Sequence, residues 1–273
     1  MSNVINLNSL ATAKWNKRTP IQNAAVFMIW FISIAFVVWC FQVMTKDTIW
    51  AFIYDAPRQM QDIGARMFPP NWTSINELWS PLWETLNIAT SGTLLGTAMA
   101  VPVAFLAARN TTPSSTLLRP VALFIIISSR SINSLIWALL LVSILGPGVL
   151  AGIITIALRS IGFIGKLLYE ATEEINPSSV EAIMATGASR PQVLAWGVFP
   201  QVAPTLADIS VFRWDINIRE STVLGLVSAG GMGLKLNAAF NTLAWPKATM
   251  ILIVIFATVI SEWITMKVRQ KLI

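Results

Sequence analysis

Six charged side chains stand in stretches that are otherwise apolar: Arg130, Arg159, Arg213, Asp215, Arg219 and Glu220. Groups that hydrogen-bond without carrying charge accompany them. Ser128, Ser129, Asn133 and Ser134 surround Arg130, while Asn217, Ser221 and Thr222 surround the last four charges. Guanidinium forks combined with amides and hydroxyls supply donors in excess, which suits an oxyanion, phosphorus oxyacids among them. Catalysis is harder to assemble. The chain has no histidine, so the commonest general base and metal ligand is absent, and with one cysteine it can form neither an intrachain disulfide nor a thiolate metal site. That cysteine, Cys40, lies within an apolar run and reads as a small buried hydrophobe.

These polar residues must be positioned by a membrane protein. Of 273 residues, 55% are hydrophobic and 12% charged, against about 25% charged in soluble domains. The deficit is concentrated in apolar runs close to the roughly 20 residues that cross a bilayer. About six transmembrane helices are expected, near 22–44, 84–108, 117–144, 149–169, 200–227 and 246–266. The fold class is therefore all-α, polytopic, a single transmembrane domain over 1–273. The third run is interrupted by Ser128-Ser129-Arg130-Ser131, and Gly146-Pro147-Gly148 makes a tight turn into the fourth. Loops are expected around 109–116 and 229–245. On continuous helices, Arg130, Asn133 and Trp137 would align. So would Arg213, Asn217 and Glu220 on one stripe, and Asp208, Asp215 and Arg219 on another.

Cation placement orients the chain. With the N-terminus inside, Lys14, Lys17, Arg18, Arg109, Arg119, Arg190, Lys267, Arg269 and Lys271 are cytoplasmic. Lys46, Arg58, Arg66, Lys235 and Lys247 fall outside, a nine-to-five bias that obeys the positive-inside rule. Both termini are then cytoplasmic, 1–21 is a cytoplasmic N-terminal segment, and 45–82 is extracytoplasmic. Its Met60, Ile63 and Met67 oppose Arg58, Asp62 and Arg66, the pattern of a short amphipathic helix. The net charge of +6 marks contact with membrane lipid, not nucleic acid, because the cations gather at span ends without interleaved aromatics.

The segment 170–199 is a polar island between spans on the cytoplasmic side. Asn176-Pro177-Ser178 opens a helix in which Ser178 is expected to cap and Glu181 to complete a capping box. Gly187 ends it, and Pro191 and Pro200 bracket a second short segment. A helix, sharp turn and helix at this place form a knob for a socket on another protein.

The run Glu181-Ala182-Ile183-Met184-Ala185-Thr186-Gly187-Ala188, with Pro200 in register, resembles the coupling-helix signature Glu-Ala-Ala-x3-Gly-x9-Ile-x-Leu-Pro of ABC importer permeases. It departs at Ile183, Gly197 and Phe199, all small or apolar. From about Phe68 onward the chain also resembles the phosphonate-type permeases. The resemblance is carried by Glu84-Thr85-Leu86, Gly92-Thr93, Ala107-Ala108-Arg109-Asn110, Ser160 to Lys166, and Asn217 to Gly233. Arg213-Trp214-Asp215 through Glu220-Ser221-Thr222 inclines it toward the phosphite or hypophosphite branch.

The resemblance implies a type I ABC importer permease acting as a homodimer. Its implied partners are two copies of a cytosolic ATP-binding subunit and an extracytoplasmic substrate-binding protein. It implies no cofactor on this chain, with ATP and Mg held by the partner ATPase in a bacterial inner membrane. The chain has no phosphate-cradling loop: Gly162-Phe163-Ile164-Gly165-Lys166 has the wrong spacing.

Two readings of the buried charges stay open at this level. Arg213 and Arg219 line a substrate path with Asp215 and Glu220, or they pair with those acids to hold helices together. Arg159 and Lys166 belong to that set or snorkel to the inner surface. The alternative function is an ATP-independent anion channel or ion-coupled anion carrier, which explains the arginines but leaves the island without a purpose. A membrane-embedded enzyme lacks any assignable nucleophile or base.

Overall fold

In lipid, the backbone must satisfy its own hydrogen bonds, so long apolar runs become helices. The computed structural model describes residues 20–46 and 49–272, and every regular element among them is helical. Lys14, Lys17 and Arg18 lie outside the described residues, as do the side chains of Lys267, Arg269 and Lys271. The chain divides into residues 1–62 and 63–273. In the first unit, α1 (Pro20–Thr45) is uncharged and largely apolar and leaves Phe27, Trp30, Phe31 and Phe36 exposed, as a lipid-facing helix does. There α2 (Trp50–Met67) also begins, about two turns before the charged stripe, with Gln59 Nε2 donating to Asp55 Oδ2 at 3.0 Å.

The second unit is built on α3 (Ile75–Ala107) and α6 (Val149–Glu173), which pack along most of their length. Small residues make that approach possible, as is usual between membrane helices. At Gly96 a Cβ would stand 2.6 Å from Ser160 Cβ and 2.9 Å from the Ala157 carbonyl oxygen, so only glycine fits. Between them come α4 (Leu118–Ser131) and α5 (Ser134–Leu145). Beyond lie α7 (Pro177–Ala185), the single turn α8 (Arg190–Val193), a π turn at Leu194–Val198 and α9 (Phe199–Gly225), then α10 (Gly231–Asn241) and α11 (Trp245–Leu272). α9 packs against both α3 and α6.

Length and apolar composition qualify α1, α3 and α6 to cross a membrane, and a fourth crossing if α4 and α5 are one broken span. α9 is also long enough at 27 residues, but Asp208, Arg213, Asp215, Arg219 and Glu220 lower its apolarity. α11, at 28 residues, is apolar mainly from Trp245 to Phe256.

Three expectations change. The third run is not one continuous helix: α4 and α5 meet at 92°, with Ile132 extended and Asn133 capping α5. Arg130, Asn133 and Trp137 therefore do not share a face. The 229–245 stretch is not merely a loop, because α10 occupies most of it. Finally, Ser178 does not cap α7. Asn176 does, its side chain accepting from the Ser178 N–H at 3.0 Å, with Pro177 in the first turn where its missing N–H is harmless. The capping box falls at Ser189 and Gln192 instead.

Candidate functional site

The charges inside the bundle converge on one place. Arg213, fourteen residues into α9, is 3% exposed, and its guanidinium lies 5.3 Å from the centre of the Phe163 ring. Its Nε donates to Ser160 Oγ at 3.2 Å and one terminal nitrogen donates to Glu220 Oε2 at 3.1 Å. Glu220 Oε1 is 3.1 Å from Arg159 Nε, so one carboxylate is divided between two guanidiniums on α6 and α9. Asn217, fully buried, donates to Thr93 Oγ1 at 2.8 Å and to Ser160 Oγ at 3.1 Å, tying α3, α6 and α9 together. Its own Oδ1 has no protein partner among the described residues.

The depth of this cluster follows from helix rise. Arg159 lies ten residues from one end of α6 and fourteen from the other, about 15 and 21 Å at 1.5 Å per residue. A charge so placed is stable only when paired, and the pairing is incomplete: Arg159 and Arg213 bring two positive charges against one negative. The excess positive charge and the surplus of donors make the cluster chemically competent to attract a monoanion.

The arrangement gives each of these charges a partner. Arg159 does not snorkel; besides Glu220, it donates from Nη1 to the Ile132 carbonyl at 3.3 Å, at the break between α4 and α5. Lys166 pairs with Glu170 one turn on, at 3.5 Å. Arg213–Glu220 and Arg219–Asp215 are pairs within α9, so neither joins one helix to another; the ion pair of this cluster that crosses helices is Arg159–Glu220. The Asp215–Arg219 pair, at 2.8 Å, closes on itself on the more exposed side of α9.

The remaining predicted residues are distributed around this centre. Ser221 is buried and donates to the Ile218 carbonyl at 2.7 Å, while Thr222 borders a small apolar cavity with Thr85 and Met232. Ser129 is buried against α6, bonded to the Leu158 carbonyl and accepting from the Gly162 N–H at 3.1 Å. Ser128 is half-buried, Asn133 is exposed as the α5 cap, and Arg130 is exposed at the end of α4 with its stem near Gly162. Arg130 and Lys166 share a groove of about 400 Å³. Thr93 and Ser160 are not among the candidate site residues read from the sequence, though both lie in the runs that carry the family resemblance. Nothing in a single sequence brings residues 93, 160 and 217 together.

Toward the opposite end of α9, Glu84 and Thr85 of α3 accept from the first N–H groups of α10. Gly231 N–H donates to Glu84 Oε2 at 3.2 Å and Met232 N–H to Thr85 Oγ1 at 2.8 Å. The Gly-rich turn after α9 is thereby fixed to α3.

The 170–199 island forms a separate surface. No residue of α7 is buried; Glu181 and Ala182 are exposed, Ala188 is half-buried, and Met184 and Trp196 present apolar area. Gly187 has φ +81°, a left-handed conformation that ends the helix without a Cβ penalty. The π turn before Pro200 packs on α7, with Gly197 facing Val180 and Ile183. A groove of about 540 Å³ separates α7 and α8 from the 110–113 loop. That loop is held to the end of α6 by Glu173, which accepts from the Arg109 N–H at 2.9 Å and lies 3.7 Å from Arg119. Among the described residues no group of three His, Cys, Asp or Glu side chains is placed to hold a metal ion.

Residues 100–272, which include the broken α4–α5 pair, the island and α9, match the family described as binding-protein-dependent transport system inner membrane component. The chain belongs to this family. It is 37% identical over 197 residues to the phosphite transport system permease protein PtxC of Stutzerimonas stutzeri, covering 72% of this chain and 71% of that one. To the phosphate-import permease protein PhnE of Mycolicibacterium smegmatis it is 38% identical, over 74% of this chain and 39% of the longer relative. Among solved structures, the MetNI methionine ABC transporter in inward facing conformations superposes with a TM-score of 0.61. The match has 21% identity and covers 71% of this chain and 95% of the other. That likeness shows the fold, a type I ABC importer permease. As a member of this family the chain is a multi-pass membrane permease subunit and not an enzyme; ATP hydrolysis belongs to a separate subunit.

Proposed function

We propose that this permease imports a phosphorus oxyanion, phosphonate, phosphite or hypophosphite. In this reading two copies of the chain form the path, and two copies of a cytosolic ATP-binding subunit, holding ATP and Mg, dock on the island at Glu181, Ala182, Gly187, Ala188 and Pro200. An extracytoplasmic binding protein delivers the anion, and both termini are cytoplasmic in a bacterial inner membrane. The observation that carries the substrate class is the identity of 36–38% to permeases named for phosphite and phosphate import. The buried Arg159–Glu220–Arg213 cluster, with one positive charge in excess, supports it chemically.

The geometry supports an alternating-access mechanism. Movement of the island at the start of α9 is carried fourteen residues up a continuous helix to Arg213, and through Asn217 and Ser160 to α3 and α6. The hold on the anion must be weak for release, so the binding protein sets most of the selectivity. Copurification of the partner binding protein followed by ligand titration tests the substrate class. Phosphite, hypophosphite or methylphosphonate should bind in preference to sulfate and methionine. Preference for an amino acid would overturn the proposal.

A further inference from the structure

We infer that Glu220 is a built-in stand-in for the transported anion. In the unloaded permease its carboxylate occupies the guanidinium of Arg159, and an arriving phosphorus oxyanion takes Arg159 from it while Arg213 retains the displaced carboxylate. The inference rests on the functional reading above and deepens it by assigning the exchange.

Three features of the cluster lead to this assignment. The first is the division of the carboxylate. Oε1 faces Arg159 and Oε2 faces Arg213, each at 3.1 Å, so one contact can open while the other persists. The second is a gradient of exposure. The side chain of Arg213 is 4% exposed, that of Glu220 14% and that of Arg159 32%, which makes the Arg159 contact the accessible one. The third is unused donor capacity. Arg159 donates one N–H to the Ile132 carbonyl and meets Glu220 at Nε as an ion pair; the other three of its five N–H groups have no protein partner among the described residues.

The break between α4 and α5 gives these donors a setting. Ile132 is extended there, so its carbonyl is free of the helix ladder and reaches Arg159 instead. The guanidinium of Arg130, two residues before the break, forms no protein hydrogen bond or ion pair among the described residues, and its stem lies near Gly162, three residues from Arg159 on α6. Arg159 thus has free donors at this break, and Arg130 stands two residues before it in the groove shared with Lys166.

The exchange also meets both demands on a carrier. Without substrate, Glu220 prevents Arg159 from standing uncompensated in a low-dielectric bundle. With substrate, Glu220 remains beside the guanidinium as a competitor, so the anion is held weakly and released. A neutral solute cannot replace the carboxylate and gains no such site.

Opposite signs for the two partners of one ion pair distinguish exchange from scaffolding. The permease–ATPase complex in lipid nanodiscs, without nucleotide or binding protein, is titrated with phosphite and followed by 31P line broadening. Removing the competitor in Glu220→Gln should tighten phosphite binding on the order of tenfold, the scale of one charge-assisted hydrogen bond. Arg159→Gln should abolish it. Uptake in the full system should fall in both, from slow release in the first and lost binding in the second. If Glu220→Gln does not assemble, Glu220→Asp shortens the reach to Arg159 while keeping the charge, and should tighten binding by a smaller factor. Weakened binding in both partners, or unchanged binding in the Glu220 variants, overturns the exchange while leaving phosphite transport by the wild type intact. Wild-type protein that moves no phosphorus oxyanion with its partners overturns the functional reading, and this inference with it.

Discussion

The shared carboxylate makes an unequal prediction for two substitutions of similar volume. In Arg213→Met, Glu220 keeps Arg159 at 3.1 Å, so the site loses a cation but strands no charge. The losses are the bond to Ser160, the contact with Phe163 and the bond to Glu220; with interhelical hydrogen bonds worth about 0.6 kcal/mol in membranes, the total is about 1–2 kcal/mol. In Glu220→Met, Arg213 remains 3% exposed with no counter-ion, beside a second guanidinium. Breaking a buried pair from one side costs about 3–5 kcal/mol. The double variant removes the stranded charge and leaves only Arg159, which is a third exposed and still bonded to Ile132. Its cost should fall between the two, giving a favourable coupling of roughly 1–3 kcal/mol on the scale of contacting residues. Tryptophan-monitored unfolding in mixed micelles, with the wild type, both single variants and the double variant measured together, reads the cycle. An Arg213→Met cost equal to or above that of Glu220→Met, or strict additivity, would refute the shared-carboxylate geometry.

Other perturbations address the scaffold and the island. Gly96→Val forces a side chain against Ser160 and the Ala157 carbonyl, so α3 and α6 must separate. A loss of about 1–3 kcal/mol is expected, together with lost uptake, and a wild-type melting temperature would contradict that packing. Asn176→Ala should cost about 1 kcal/mol of local stability by removing the α7 cap, whereas Ser178→Ala should be nearly neutral. Hydrogen exchange across 177–185 separates the two. Gly187→Val imposes a left-handed conformation, at about 1–2 kcal/mol, on a residue that resists it. Along with Glu181→Ala it should leave insertion intact but abolish substrate-stimulated ATP hydrolysis; normal coupled uptake would remove both residues from the docking surface.

Much of this architecture was legible because lipid leaves few choices. Apolar runs long enough to cross had to be helices, and α1, α3, α6, α9 and α11 lie near the expected runs. The stripe Arg213–Asn217–Glu220 was readable from helical period alone, since α9 is continuous. Gly187 was readable because a glycine closing a capped helix has few other uses.

What was not legible depends on contacts distant in sequence. The polar residues after Ile127 signalled an interruption, but a 92° turn depends on what α4 and α5 pack against. Arg159 could have snorkelled; only the approach of α9 supplies Glu220, sixty-one residues later. The α7 cap was misplaced because Asn176 and Ser178 are both good caps. The outcome turns on Pro177, which is tolerated in the first turn of a helix. The Gly-rich run after α9 read as a loop, yet Glu84 and Thr85 accept the free N–H groups at the start of α10 and so stabilise a helix there.

The decisive measurement is uptake into proteoliposomes holding the permease and its ATP-binding subunit, with the loaded binding protein on the opposite face from the 170–199 segment. Labelled phosphite, hypophosphite or methylphosphonate should accumulate only when ATP and Mg are on the island side, and Gly187→Val should abolish accumulation. Equal uptake driven by an ion gradient without ATP would contradict an ATP-driven importer and identify an ion-coupled carrier or channel instead.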